Sequence, residues 1–284
     1  MKQHRLLLLG LTLALLLTGC SAQAHQSASS PEQTPTWTSP ESEFVPLPAV
    51  EPSESVLPEP DPVPAVPTRE PEEGGYFDNA LLVGDSIMEG IRQYVAVRRQ
   101  EGEMLGSARF VTTTMGISLA DLVGDRDNGV RFSYQGEEKP LEDIVAETAP
   151  RRVFLLLGLN DLASAADPVV EDVVNRYTRL IMNLRSACPG VEFIIITVPP
   201  KVASQWLPDY TVNRHFGNEL IKEFVTELKL ACSAWNIPYV DAYESLKNEG
   251  GALPDDYCRD GYIHLSHQGA AVVVEALNAF AGSR

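Results

Sequence analysis

Short apolar runs alternate with amphipathic stretches from about residue 75 to the end of the chain. The runs lack the polar alternation of a half-exposed strand, so they are typical of a parallel sheet that is covered on both faces. The pattern therefore predicts a three-layer α/β domain with a mostly parallel five-stranded sheet. Strands are predicted at residues 79–83, 109–114, 153–158, 193–198 and 238–242. Helices are predicted near residues 87–99, 118–124, 140–148, 168–187, 213–235 and 267–281, with a small hairpin or excursion at 130–138.

The first 20 residues have the pattern of an export signal. Lys2 and Arg5 precede an apolar stretch, residues 6–17, that is shorter than the roughly 20 residues of a membrane-spanning helix. Residues 17–20 read Leu-Thr-Gly-Cys, which resembles a bacterial lipobox and implies cleavage before Cys20 and a lipid on its sulfur. The alternative is an ordinary cleaved signal in which Cys20 is incidental. We expect a lipoprotein signal peptide and an extracytoplasmic protein that is attached to the cell membrane by this lipid.

Residues 21–75 differ in composition from the rest of the chain. They contain more than half of the 21 prolines, and from residue 32 to residue 73 their acidic residues are relieved only by Arg69. Such a segment cannot bury a core, so we expect a disordered, partly polyproline II tether. The formal net charge of -17 makes nucleic acid an unfavourable partner. The expected folded domain therefore covers residues 76–284.

The cysteines and histidines give little support to a metal site. Beyond Cys20, the three cysteines Cys188, Cys232 and Cys258 are odd in number and lack the close pairs of a zinc site or a disulfide framework, although one bridge remains open. His264 and His267 form a His-x-x-His pair without a third ligand at clear spacing. We expect no metal ion.

Three polar clusters fall at related positions in the predicted fold. Ser86 lies between a predicted strand and a predicted helix, and Asn160 also follows a strand. The carboxyl edge of an open α/β sheet, where both residues are expected, is the edge that binds ligands. Asp260 and His264 lie in a late loop before the terminal helix. A hydroxyl, an imidazole, a carboxylate and an amide are the parts of a serine hydrolase site.

In this order, the clusters resemble the sequence blocks of the SGNH, or GDSL-like, hydrolases over most of residues 77–281. The resemblance implies a flavodoxin-like fold and esterase or acyl hydrolase activity without a cofactor. Ser86 in the Gly-Asp-Ser sequence matches the nucleophile. Gly116 and Asn160 match the residues that, with the backbone N–H of Ser86, form the oxyanion hole.

The resemblance also implies that His264 is the general base and that Asp260 orients it. Two departures from the family pattern are present. Ile87 replaces the leucine of the GDSL pattern, which conserves volume at a packing position. Asp260 precedes His264 by four residues rather than three, and a bulge at Gly261 can absorb the extra residue. Without that bulge the site is a Ser-His dyad or uses another acid.

Each candidate also has a purely structural interpretation. Ser86 can be the N-cap of the following helix, and Gly116 can simply end a strand. Asn160 can cap its loop. Asp85 is interpreted as a structural hydrogen-bond partner, and Asp161 is expected to bond local backbone.

The favoured function is removal of small acyl groups, acetyl above all, from a carbohydrate or peptidoglycan by a Ser-His-Asp triad. This substrate class rests on the expected location and on the family resemblance. The alternatives are an O-acyltransferase that uses the same Ser86 intermediate and a non-catalytic surface module that binds glycan or protein.

Overall fold

A five-stranded parallel sheet lies at the centre of the computed structural model, which describes residues 75–113, 116–125 and 130–284. These residues belong to one compact unit. The expected signal peptide with Cys20 and the expected tether up to residue 74 lie outside the described residues. The strands are, in chain order, β1 (Ala80–Gly84), β2 (Arg109–Thr112), β3 (Phe132–Tyr134), β4 (Glu137–Lys139), β5 (Arg152–Leu156), β6 (Glu192–Ile196) and β7 (Tyr239–Val240).

Helices cover both faces of the sheet and complete a three-layer α/β fold, as predicted. α1 and α8 pack together, whereas α2, α3, α4 and α6 pack against α5. Right-handed crossovers place these two groups on opposite faces. The helices are α1 (Ser86–Arg98), α2 (Leu119–Leu122), α3 (Leu141–Thr148), α4 (Leu159–Ser164), α5 (Val170–Ala187), α6 (Asn218–Ala234), α7 (Ala242–Leu246) and α8 (His267–Gly282), with a 3-10 helix at Asp255–Tyr257.

The strand order β2-β1-β5-β6-β7 reverses between β1 and β5. The chain runs from β1 to β2 on one side and then returns to the other side of β1 as β5. Open α/β sheets bind ligands in the crevice at this switch point, outside the carboxyl ends of the strands. Gly84 at the end of β1 is in register with Leu156 at the end of β5. The residues that follow these two strands therefore lie side by side at the carboxyl edge of the sheet.

The apolar runs behave as the sequence predicts, because every residue of β1 and β5 is buried. The predicted hairpin is also present, with β3 antiparallel to β4. Its two turn residues, Gln135 and Gly136, both have positive φ, as a two-residue hairpin turn requires.

In the described part of the chain Cys188 and Cys232 are buried, and no disulfide links the cysteines. No helix in that part is long and apolar enough to cross a membrane.

Two features of the carboxyl edge differ from the prediction. Helices α4 and α7 and the 3-10 helix are additional elements, each too short to show an apolar period. Helix α6 begins at Asn218 rather than at residue 213. Asn213 instead points inward from a loop and donates a hydrogen bond to the Leu162 carbonyl over 3.0 Å. The loop that precedes α6 is therefore longer than the apolar pattern indicates.

Candidate active site

Ser86 is the first residue of α1 and directly follows the turn after β1. The turn needs glycine at position 84, because a Cβ there would lie 2.6 Å from Met88 Cβ and 2.7 Å from the Leu156 carbonyl oxygen. Asp85 caps the helix, with its Oδ1 accepting a hydrogen bond from the Ile87 N–H over 3.0 Å. The interpretation of Ser86 as the N-cap is therefore wrong. The cap is its neighbour, and the Ser86 hydroxyl is directed elsewhere.

That hydroxyl meets the imidazole of His264, with 3.0 Å between Ser86 Oγ and His264 Nε2. On the other side of the ring, His264 Nδ1 lies 2.5 Å from Asp260 Oδ2. The three groups form a continuous chain from hydroxyl to carboxylate, although Ser86 and His264 are far apart in sequence. Their order is the one in which a base removes the hydroxyl proton and an acid fixes the tautomer of the base.

The extra residue between Asp260 and His264 is absorbed in the loop itself. Gly261 has a φ of +68°, which is accessible to glycine at little cost. Asp260 Oδ1 accepts hydrogen bonds from the backbone N–H groups of Tyr262, Ile263 and His264, over 2.9 to 3.2 Å. One carboxylate oxygen thus holds the loop, which leaves the other to bond the imidazole.

Burial alone would raise the pKa of Asp260. The hydrogen bonds from His264, the Tyr262 N–H and the Cys258 thiol outweigh this effect and lower its pKa to about 2. Asp260 is therefore ionised at all but strongly acidic pH. A permanently charged acceptor at Nδ1 keeps the proton on that nitrogen and leaves Nε2 to accept one from Ser86.

Asn160 lies in the first turn of α4, beside the turn that carries Ser86. Its Nδ2 donates to Asp85 Oδ2 over 2.7 Å and to the Ile117 carbonyl oxygen over 3.0 Å. Gly116 borders the same amide, since a Cβ on Gly116 would lie 3.2 Å from Asn160 Oδ1. The structure thus brings together Ser86, Gly116 and Asn160, the three residues expected at the oxyanion hole.

Asp85 is almost completely buried at this junction. Desolvation raises its pKa to about 6, against the lowering effects of the Ile87 hydrogen bond and the neighbouring His264. Each of its oxygens has a separate donor, Ile87 N–H for one and Asn160 Nδ2 for the other. The structural interpretation of Asp85 is confirmed, but its bond to Asn160 has no signal in the sequence.

Asp161 has a different role from the expected local one. Its Oδ2 accepts from the Leu119 N–H over 2.7 Å and its Oδ1 from the Ala120 N–H over 3.3 Å. Both donors are at the N-terminus of α2, about forty positions away in the chain. The carboxylate supplies acceptors for N–H groups that a helix leaves unpaired at its start. This bond fixes the segment that carries Gly116 against α4.

The described residues place no group of three or more His, Cys, Asp or Glu side chains where they could hold a metal ion. The chemistry available at the carboxyl edge is that of the hydroxyl, imidazole, carboxylate and amide. On an open α/β sheet this set defines the class of serine hydrolases.

Comparison with known proteins agrees with this class. The model of the GDSL-like Lipase/Acylhydrolase family matches residues 82–272, which is more than half of the chain. The chain belongs to this family and is an ester hydrolase of the SGNH type. A search of curated proteins found no matching sequence.

Several solved structures share the fold at low sequence identity. One is a protein from Streptococcus pneumonia described as a platelet activating factor, with a TM-score of 0.53, 22% identity, and coverage of 72% of this chain and 83% of that one. Another is a GDSL-like lipase from Bacteroides thetaiotaomicron, with a TM-score of 0.52, 16% identity, and coverage of 72% and 87%. The lipase/acylhydrolase from Enterococcus faecalis has a TM-score of 0.51, 18% identity, and coverage of 72% and 96%.

Proposed function

We propose that this ester hydrolase is an extracytoplasmic serine esterase that removes small acyl groups, in particular acetyl, from a carbohydrate or cell-wall glycan. The observation that carries the mechanism is the position of His264 between two partners, 3.0 Å from Ser86 Oγ and 2.5 Å from Asp260 Oδ2. The extracytoplasmic location and the lipid anchor rest on the sequence around Cys20.

In the first half of the reaction, Ser86 Oγ attacks the ester carbonyl carbon while His264 Nε2 takes the hydroxyl proton. The tetrahedral intermediate then breaks its bond to the alcohol oxygen, which receives that proton from Nε2. The acyl group remains on Ser86 as an ester. Asp260 stays ionised throughout and stabilises the imidazolium that forms between the two steps.

In the second half, His264 Nε2 removes a proton from water as the water oxygen attacks the acyl-Ser86 carbonyl. Collapse of the second intermediate breaks the bond to Ser86 Oγ, which recovers its proton from Nε2. The products are a carboxylic acid and free enzyme. No external oxidant, reductant or cofactor is needed to balance these steps.

The negative charge of both intermediates falls on the former carbonyl oxygen. Its donors would be the backbone N–H groups of Ser86 and Gly116 and the Asn160 amide. Both Asn160 amide hydrogens already have acceptors in this structure. The bond to the Ile117 carbonyl is the longer one, and its hydrogen would turn toward the oxyanion as charge develops, while Asp85 retains the other.

Active-site labelling tests this proposal directly. A fluorophosphonate probe applied to the full-length chain should modify Ser86, and the Ser86→Ala and His264→Ala variants should not react. Acetate release from O-acetylated peptidoglycan and from an acetylated xylan then tests the substrate class. Labelling of a different serine, with Ser86→Ala still active on 4-nitrophenyl acetate, would refute the mechanism. Labelling of Ser86 without acetate release from either polymer would refute the substrate class alone.

A further inference from the structure

The loop that joins β6 to α6, residues 197–217, has an unusual distribution of polar and apolar side chains. We call it the rim loop. Polar side chains are usually exposed and aromatic ones usually buried, but this loop does the reverse at several positions. Its buried polar side chains include Lys201, Thr211 and Asn213. Its large exposed apolar side chains are Trp206, Tyr210 and Val212, which are 56%, 71% and 51% exposed.

The buried polar groups hold the loop in place: Asn213 and Thr211 bond other segments of the protein, and Lys201 bonds carbonyl groups within the loop. Asn213 Nδ2 donates to the Leu162 carbonyl oxygen, and Thr211 Oγ1 lies 3.1 Å from the hydroxyl of Tyr262. The Lys201 ammonium donates to the carbonyl oxygens of Val202 and Ser204. The loop therefore has a defined conformation, and its aromatic rings are held outward by bonds elsewhere in the loop.

These bonds connect the rim loop to both segments that form the active site. On one side the Val212 and Asn213 N–H groups donate to the Ala163 carbonyl in α4, the helix whose first turn carries Asn160. On the other side the Val202 N–H donates to the Tyr262 carbonyl, within the loop of Asp260 and His264. The rim loop is therefore bonded on both sides to segments that carry active-site residues.

The rings of Trp206 and Tyr210 also have specific neighbours. The Trp206 ring meets the buried Tyr262 ring edge to face, with 6.0 Å between centroids. The backbone N–H of Trp206 donates to Ser204 Oγ over 3.1 Å. Tyr210 precedes Thr211, whose Oγ1 lies 3.1 Å from the Tyr262 hydroxyl, so its backbone is held beside the loop of Asp260 and His264. Partial burial, and after it the charge of Asp260, raises the pKa of Tyr210. Both rings are therefore exposed on a loop that contacts Tyr262, which lies between Asp260 and His264 in the chain.

We propose that Trp206 and Tyr210 form a platform on which a sugar ring of the acylated substrate packs while its ester is at Ser86. A pyranose ring presents a face of C–H groups, which matches the electron-rich face of an aromatic ring, and its hydroxyls remain free for polar contacts. This inference rests on the proposed function and adds to it the residues that recognise the glycan.

Charge favours a glycan over a lipid surface as the occupant. Anionic headgroups attract clusters of lysine and arginine, whereas this chain has a net charge of -17. In the rim loop Lys201 is buried, and the exposed Arg214 is offset in charge by the exposed Asp209. Large exposed apolar side chains in a soluble domain mark an interaction site when they cluster. Here two exposed aromatic rings lie four residues apart on one loop, which suits a neutral polyhydroxylated ligand.

The test compares a glycan ester with a small ester in the full-length Trp206→Ala, Tyr210→Ala and double variants. The probes are an acetylated xylo-oligosaccharide, an O-acetylated peptidoglycan disaccharide and 4-nitrophenyl acetate. Each ring should contribute about fivefold to tenfold to kcat/KM on a glycan ester, mainly through KM. Activity on 4-nitrophenyl acetate should change less than twofold. Trp235→Ala is the matched control, because Trp235 is 51% exposed at the opposite end of α6 and should leave both activities unchanged.

Three outcomes would overturn the platform. The first is that the wild type deacetylates the glycan and the double variant does so with an unchanged kcat/KM. The second is an equal loss on both kinds of ester, which would assign the rings a structural role. The third is loss of vesicle binding, measured with zwitterionic and anionic phospholipid vesicles, without loss on the glycan, which would assign them to a membrane. Absence of glycan activity in the wild type would overturn the proposed substrate class itself.

Discussion

Asn160 Nδ2 donates a hydrogen bond to Asp85 Oδ2 over 2.7 Å, so the loop after β5 is bonded to the residue that precedes Ser86. The two side chains follow neighbouring strands whose ends are in register. The bond joins the amide expected at the oxyanion to the turn that positions the hydroxyl. Asp85 is therefore a positioning residue, and its burial gives it a measurable titration.

The stability of the protein should depend on the protonation of Asp85. Its folded pKa of about 6 lies above the value of about 3.9 for an unfolded chain, so the folded state binds this proton more tightly. The contribution of Asp85 to the free energy of unfolding should decrease by about 3 kcal/mol as pH rises from about 4 to about 6. Urea unfolding of wild type and Asp85→Asn at pH 4.5 and pH 7 measures the change in the free energy of unfolding. Between pH 4.5 and pH 7 the wild type should lose stability relative to the variant. Equal pH dependence in both proteins would contradict the buried titration.

Asn160→Ala should reduce kcat on 4-nitrophenyl acetate by roughly 10²–10³, with a smaller change in KM, because the amide acts on charge that develops in the transition state. Steady-state kinetics combined with thermal unfolding separates the possibilities. A rise in KM alone would make Asn160 a binding residue. Loss of the folded state would return it to the role of a structural cap.

Asp260→Asn should separate the two roles of the carboxylate. The amide oxygen of asparagine can still accept from the three N–H groups of the loop, so the loop should stay folded. Its NH₂ group would face His264 Nδ1 as a donor and stabilise the wrong tautomer, which typically costs about 10⁴ in kcat.

Asp260→Ala is the comparison, because it removes both roles and should also lower Tm. The two variants should be similarly inactive, and only the alanine variant should lose stability. If Asp260→Asn retains most of the wild-type kcat, the site works as a Ser-His dyad.

The parts of the site that follow buried strands could be predicted from the sequence. The fully apolar runs of β1 and β5 have few alternative structures, and parallel strands bring their carboxyl ends to one edge. The positions of Ser86 and Asn160 follow from this. The bulge at Gly261 could also be anticipated, since glycine is the residue that adopts its φ of +68° without strain.

Long-range polar contacts could not be predicted in this way. Nothing in the residues around Asp161 indicates that its carboxylate accepts a hydrogen bond from the Leu119 N–H. A local backbone N–H and a distant one are equally good donors to a carboxylate. The apolar pattern misplaces the start of α6 for a related reason. Phe216 continues the apolar spacing of the helix, but the inward bond of Asn213 to Leu162 holds residues 213–217 in the rim loop. Only the folded chain determines these partners.

Gly84→Ala should destabilise the fold by about 1–3 kcal/mol, since the new methyl group would overlap Met88 and the Leu156 backbone. The carbonyl oxygen of Leu156 belongs to the central sheet and cannot move away, with only 2.7 Å available to the methyl group. Gly102→Ala is the matched control, because a methyl group added at Gly102 would have no other atom within 4 Å. Urea unfolding should show a lower midpoint for Gly84→Ala alone. Equal midpoints for the two variants would mean that the turn before Ser86 has room for a side chain.

The last prediction concerns the attachment that the sequence around Cys20 indicates. Cys20→Ser removes the thiol that would carry the lipid, so the variant should either fail to mature or appear in the soluble fraction. Esterase activity per folded molecule should not change, because the expected disordered tether separates Cys20 from the folded domain that carries Ser86 and His264. Cys188→Ser is the control, since it leaves both Cys20 and the loop of Asp260 and His264 intact, and it should remain with the membrane. Fractionation followed by immunoblotting and an ester assay measures location and activity together. A Cys20→Ser protein that matures normally and stays in the membrane fraction would show that another segment holds the chain there.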